Sequence, residues 1–258
     1  MQTALVWMDE GTLALLFGMM IIVNLISTTG LFEFVAIRAL DMSKGNMSKL
    51  MVLLCIATAV LSAFLDNVTT MLLLAPVTIE LCKVIEMDPI PFLISEVMFS
   101  NIGGTATMIG DPPNIIIGNM LSDHVGFVDF ILNLAPCIFF ASFPSLFFLK
   151  WFYRDNFNVP DRVFDIEALK KQYPISDPVL LAKSGVILSA VLLLFFLHPV
   201  HHVDTSWVAC VGAVGLMVIA TPHELHHVFE SVEWDTLLFF AALFVMIEAM
   251  ATMGLIRR

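Results

Sequence analysis

The sequence has 258 residues, of which 59% are hydrophobic and only 14% charged, with a mean hydropathy of +0.92. Soluble domains carry roughly a quarter charged residues, so this composition excludes a soluble globular protein and implies a polytopic membrane protein of the all-α class. Acidic residues outnumber basic ones by 23 to 12, giving a net charge of −11 spread over short loops, which excludes a nucleic-acid-binding surface and reads as a solvated periphery.

Asp9 and Glu10, not a basic run, precede the first apolar stretch, so that stretch is expected to be a retained span rather than a signal peptide. A spanning helix needs about 20 mostly apolar residues, which places the first from Thr12 to about Leu40. Its polar residues Asn24, Ser27, Thr28 and Thr29 read as helix-packing groups. Residues 47–87 give two apolar arms, Met47–Leu65 and Val68–Met87, joined at Asp66-Asn67. Two full spans and a re-entrant hairpin both return the chain to its starting side. Carboxylate, amide and hydroxyl oxygens at two opposed helix ends suit a cation or an oxyanion. Asp, Asn and Thr are also ordinary turn formers, so the segment alone leaves the two readings even.

Residues 91–121 are too long for one straight span and contain Gly103-Gly104, Gly110 and Pro112-Pro113. Proline removes a helix hydrogen bond and adjacent glycines unwind readily, so two half-helices are expected around an irregular stretch near Gly103–Asn114. An unwound backbone in hydrocarbon costs several kcal/mol per unsatisfied group and persists only when buried in protein or lining a wet cavity, so this break marks a site. Glu96 is ionisable within an apolar run, which points to a coupling role, although its place near a helix start also suits the dipole.

Phe127–Tyr153 is a further span, 154–177 a polar loop with Arg154, Arg162, Lys170 and Lys171, and spans follow at about Pro178–Leu197, Thr205–Ala220 and Trp234–Ile256. Lys and Arg favour the cytoplasmic side, so the loops at 38–49 and 150–183 are read as inside and those at 119–129 and 198–205 as outside. Aligning Thr12 with Thr236 also superposes Leu13 on Leu237, Thr28 on Thr252, Gly30 on Gly254 and Leu31 on Leu255. The two copies run in opposite directions, which is an inverted-topology repeat. The expected organisation is a first repeat over 1–153 (span, hairpin 47–87, broken helix 91–121, span 127–153), a cytoplasmic loop at 154–177, and the start of a second, incomplete repeat over 178–258. The sequence is expected to be a fragment or truncated product.

Leu61-Ser-Ala-Phe-Leu-Asp-Asn-Val-Thr-Thr-Met-Leu-Leu-Leu-Ala-Pro76, together with Asn101-Ile-Gly-Gly-Thr-Ala-Thr-Met-Ile-Gly-Asp-Pro-Pro-Asn114, resembles the ion transporter superfamily and in particular its melanosomal members. That superfamily holds arsenical pump membrane proteins, sodium/proton antiporters and citrate or dicarboxylate carriers. The resemblance implies a hairpin tip at 66–70 meeting the unwound middle of a broken helix at 103–107, with a coupling ion between them and substrate beside it. It puts sodium on Asn67, Thr69, Thr105 and Thr107, and extends the ion and substrate site to Asp66, Thr70, Asn101, Gly103, Gly104, Asp111 and Asn114. It implies a homodimer in a melanosome or other endosome- or lysosome-related membrane, or in the plasma membrane, with no cofactor beyond a coupling Na+ or H+.

The function expected is a secondary transporter of a small anion or inorganic ion, not an enzyme. An anion channel of the same architecture and a truncated, non-transporting partner of a full-length transporter are the alternatives. A membrane zinc protease is a more distant one, because His223-Glu-Leu-His-His227 fits H-E-x-x-H, with His223 and His227 as zinc ligands and Glu224 as base. No third ligand is evident apart from His198, His201 and His202 on the opposite predicted face, so a boundary histidine cluster is favoured.

Overall fold

The computed structural model describes residues 7–120, 126–157, 175–201, 203–219, 228–230 and 232–254. Twelve helices make up the described fold: α1 Glu10–Ser27, α2 Leu31–Ser43, α3 Met47–Phe64, α4 Asn67–Val84, α5 Ile90–Gly104, α6 Pro112–Met120, α7 Phe127–Phe152, α8 Arg154–Phe157, α9 Pro178–Phe196, α10 His198–His201, α11 Thr205–Ile219 and α12 Trp234–Thr252. No strand occurs among the described residues. Six of these helices, α1, α3, α4, α7, α9 and α12, are long and apolar enough to cross a membrane, and α5 and α11 are shorter apolar helices. The protein is an all-α, multi-pass membrane protein.

The single span expected over Thr12–Leu40 is instead two helices, with a turn at Thr28–Gly30. Gly30 has φ 82°, a left-handed conformation that an L side chain resists. Thr29 is fully buried, and its N–H and its hydroxyl both donate to the Ile26 carbonyl, at 3.1 and 2.5 Å, which closes the helix end in a tight turn. The Ser176 N–H then bonds the Thr29 carbonyl at 3.0 Å. Threonine and glycine together end the helix here, where threonine alone would have packed within it.

The chain forms two compact units, one of Met1–Leu25 with Ala182–Arg258 and one of Ile26–Leu181. In the first, α1 and α11 approach so closely that a Cβ on Gly18 would lie 2.9 Å from the Ala209 carbonyl carbon. Cys210 Sγ reaches the Ala14 carbonyl at 3.4 Å, and Phe17 packs on Trp234 with ring centroids 5.8 Å apart. Two aligned segments of this sequence also share their end chemistry. Thr12 Oγ1 donates to Asp9 Oδ2 at 2.8 Å as α1 begins, and Thr236 Oγ1 to Glu233 Oε2 at 2.9 Å as α12 begins. Beyond their other ends, Gly30 and Gly254 take φ 82° and 72°.

In the second unit, α3 packs most extensively on α5, with α2 and α4 alongside. Leu40, Leu50, Leu54, Leu81, Phe92 and Phe99 are among its core residues. α7 turns an aromatic face outward, with Phe140 70% and Phe147 74% exposed and Trp151 close behind at 58%. In water such a face would be an association hazard. Against acyl chains it is the expected surface of a lipid-facing helix.

Candidate functional site

The site is built where α3 hands over to α4 and where α5 gives out. Only Leu65 and Asp66 separate α3 from α4, both with extended backbone. Asp66 is the N-cap of α4, its Oδ1 accepting the Thr69 N–H at 2.8 Å. This fills one of the donors that the first helical turn leaves open and fixes the tip by a local bond. Asn67, Thr69 and Thr70 follow on the first turn of α4, where the backbone dipole is positive.

The broken helix supplies the facing half. α5 ends at Gly104, residues 105–111 form turns and bends, and α6 restarts at Pro112, which needs no donor at the first helical position. Gly103 permits this meeting, since a Cβ there would sit 2.5 Å from the Ala59 Cα of α3 and 2.6 Å from its carbonyl carbon. α5 therefore lies backbone to backbone against α3.

Three side-chain hydrogen bonds join the two halves, and Asn114 braces the break itself. Ser62 Oγ donates to the Ser100 carbonyl at 2.7 Å. Thr107 Oγ1 donates to the Ala63 carbonyl, and it accepts the Gly110 N–H at 3.1 Å. Asn67 Nδ2 donates to Asn101 Oδ1 at 3.3 Å, while Asn101 Nδ2 is held by the Val97 carbonyl at 2.8 Å. Asn114 sits inside the break and donates to the carbonyls of Gly104 at 3.2 Å and Thr107 at 3.0 Å. The Gly104 and Thr107 carbonyls at the break are thus met by an amide donor that the same segment provides.

The structure gives the residues singled out in the sequence different tasks. Thr107 and Asn114 are clasps, with their donors spent on backbone carbonyls. Thr105 donates to the Asn101 carbonyl at 2.8 Å and is only partly buried. Asp111 is partly buried at the head of α6, its carbonyl accepting the Asn114 N–H at 2.9 Å. Two oxygens stand out: Asn67 Oδ1 and Thr70 Oγ1 are buried with no hydrogen-bond partner. Unpaired buried acceptors cost roughly 1–3 kcal/mol each and ask for an explanation such as an ion. Ser62 escaped the sequence reading. It opens the polar break, but its partner lies 38 residues away, and no local pattern reports that pairing.

Beside the junction, an open groove of about 590 Å³ runs between α4 and α5. Asn67, Ser100 and Asn101 line its polar end, and Met71, Leu72 and Leu93 are among its apolar walls. The segment containing His223, Glu224 and His227 lies outside the described residues, and among the described residues no three His, Cys, Asp or Glu side chains are grouped to hold a metal ion.

The family model CitMHS, described as citrate transporter, matches residues 1–258. The human P protein is 37% identical over 97% of this chain and 38% of its own length. An uncharacterized transporter of Mycobacterium tuberculosis is 43% identical over 97% of this chain and 58% of its own. A 46 kDa membrane protein of Mycobacterium leprae is 42% identical over 94% and 56%, respectively. The chain therefore spans between 38% and 58% of the length of these relatives.

Proposed function

This chain belongs to the citrate transporter family, and on that premise we propose that it forms the hairpin-and-broken-helix site of a secondary transporter for a small anion, coupled to Na+ or H+ by alternating access. The observation that carries this reading is the pair of unpartnered buried oxygens, Asn67 Oδ1 and Thr70 Oγ1, at the tip that the broken helix clasps. A bound cation would satisfy both, and the first turn of α4 offers a neighbouring anion its positive end. Asn67, Thr69, Thr70 and Thr105 are assigned to the ion, with Asp66, Asn101 and Asp111 around it. Gly103 and Gly104 bring the two breaks into contact, Ser62 and Thr107 hold them there, and Asn114 braces the broken helix.

The alternation between sides is assigned to an inverted repeat. Its support is the matched ends of α1 and α12, a threonine–carboxylate pair at the start of each helix and a left-handed glycine after it. A homodimer, and residence in a melanosome-type or related membrane, accompany this reading on the sequence resemblance alone.

Uptake of labelled citrate into proteoliposomes under imposed Na+ or pH gradients tests the proposal. Saturable accumulation above equilibrium is expected, and a channel of the same architecture would give only equilibration. Asn67→Ala and Thr105→Ala are each expected to abolish accumulation at unchanged incorporation. Wild-type uptake by both variants would remove the site from this junction.

A further inference from the structure

We propose that Glu96 and Thr78 form a second, proton-binding site, buried between α4 and α5 and separate from the hairpin tip. Along α4, Thr78 lies eleven residues beyond Asn67, about 16 Å at the helical rise. Glu96 has no exposed surface. Its Oε1 accepts the Thr78 hydroxyl at 2.8 Å, and Thr78 is itself fully buried. Its Oε2 is buried and has no partner. A carboxyl so placed is a built polar site with one oxygen open to a ligand, and the smallest ligand that fits it is a proton.

Among the described residues, the groups around Glu96 supply no countercharge for an ionised carboxylate. The titratable groups that face Glu96 are two thiols, Cys55 from α3 and Cys82 from α4, both buried. The remaining charged groups of α3 and α4, Lys49, Glu80 and Lys83, are exposed, and α5 carries no charge besides Glu96. On α7, Asp129 is occupied by the Gly126 N–H at 3.1 Å, and Lys150 is exposed. None of the ion pairs among the described residues involves Glu96. An ionised carboxylate there would have a single hydroxyl donor and two thiols, whereas the neutral acid needs no countercharge.

The site has a means of opening. Pro76 stands inside α4, two residues before Thr78, and deprives the Leu72 carbonyl of its helical donor. Bending of α4 at that point separates Thr78 from Glu96 and admits water. The carboxylic O–H bond then breaks, its electron pair stays on Oε2, and the proton passes to water. Because α4 also carries the hairpin tip, proton release is tied to movement of the ion site.

This proposal rests on the transport reading only for its consequence, and the experiment separates the two. The full chain is placed in lipid nanodiscs and its infrared difference spectrum recorded across pH steps, while citrate uptake is followed in proteoliposomes at the same pH values. The expected result is a carboxylic-acid C=O band that disappears in Glu96→Gln, and uptake whose pH dependence is lost in that variant. Thr78→Val, which keeps Glu96, is expected to move the band to higher frequency, because the carbonyl loses its hydrogen bond. No band that responds to either substitution would overturn the site, as would full pH dependence retained in Glu96→Gln. Absent uptake in the wild type would count against the transport reading and leave the band to decide the proton site.

Discussion

The hairpin tip and the broken helix are both interruptions of apolar helix, but different forces hold them. The tip is local: Asp66 caps the helix that begins at the next residue through one bond to Thr69, three residues away. The break is held from a distance, with Thr107 reaching back 44 residues to Ala63 and Ser62 reaching forward 38 to Ser100. One side chain can be removed from the first without dismantling it. The second depends on a backbone contact between helices and on donors that must all arrive together. The lesson is that the tip is free to carry ligand chemistry, while most polar groups of the break are committed to keeping it intact.

The largest effect expected from this contrast is at Gly103. Gly103→Val would drive a branched side chain into the Ala59 backbone, which has no room to yield. Overpacking costs roughly 1–3 kcal/mol and more where backbone must move, so loss of a monodisperse species in size-exclusion chromatography is expected. A variant with an unchanged profile would mean that α3 and α5 do not meet here.

A smaller loss is expected from Asn114→Leu, which keeps the bulk and removes both donors from the Gly104 and Thr107 carbonyls. Both bonds come from one amide, and losing one buried polar partner costs roughly 1–3 kcal/mol, so a destabilisation of that size should appear in denaturant titrations in detergent. A change below the error of the measurement would show that the break holds itself, as the tip does.

The smallest change is expected at the tip, and it separates structure from charge. Asp66→Ala removes the cap and costs about 1 kcal/mol. Asp66→Asn keeps a side-chain oxygen for the Thr69 N–H and should leave stability nearly unchanged. If Asp66 faces the ion, that second variant alters the Na+ or pH dependence of uptake more than its maximal rate. Unchanged dependence would make Asp66 a cap and nothing further.

Some of this organisation is written locally in the chain. Apolar runs near the length of a bilayer demand helices, because backbone groups in hydrocarbon must bond within their own segment, so the all-α membrane class follows from composition alone. The glycines and prolines between Gly103 and Pro113 forbid a continuous helix, and the break appears over residues 105–111. The Asp66 cap is legible for the same reason, since its partner is three residues away. The turn at Gly30 had an equally local cause in its positive φ, but an apolar run with one glycine reads as a helix until neighbouring contacts select the turn. What only the tertiary structure decided are the pairings at long range. That Ser62 meets Ser100, that Thr107 clasps Ala63, and that Glu96 faces Thr78 with one oxygen left over depend on which helices pack and in what register. A threonine or glutamate in an apolar helix states only that a partner is needed. Close packing of α3, α4 and α5 determines which partner it receives.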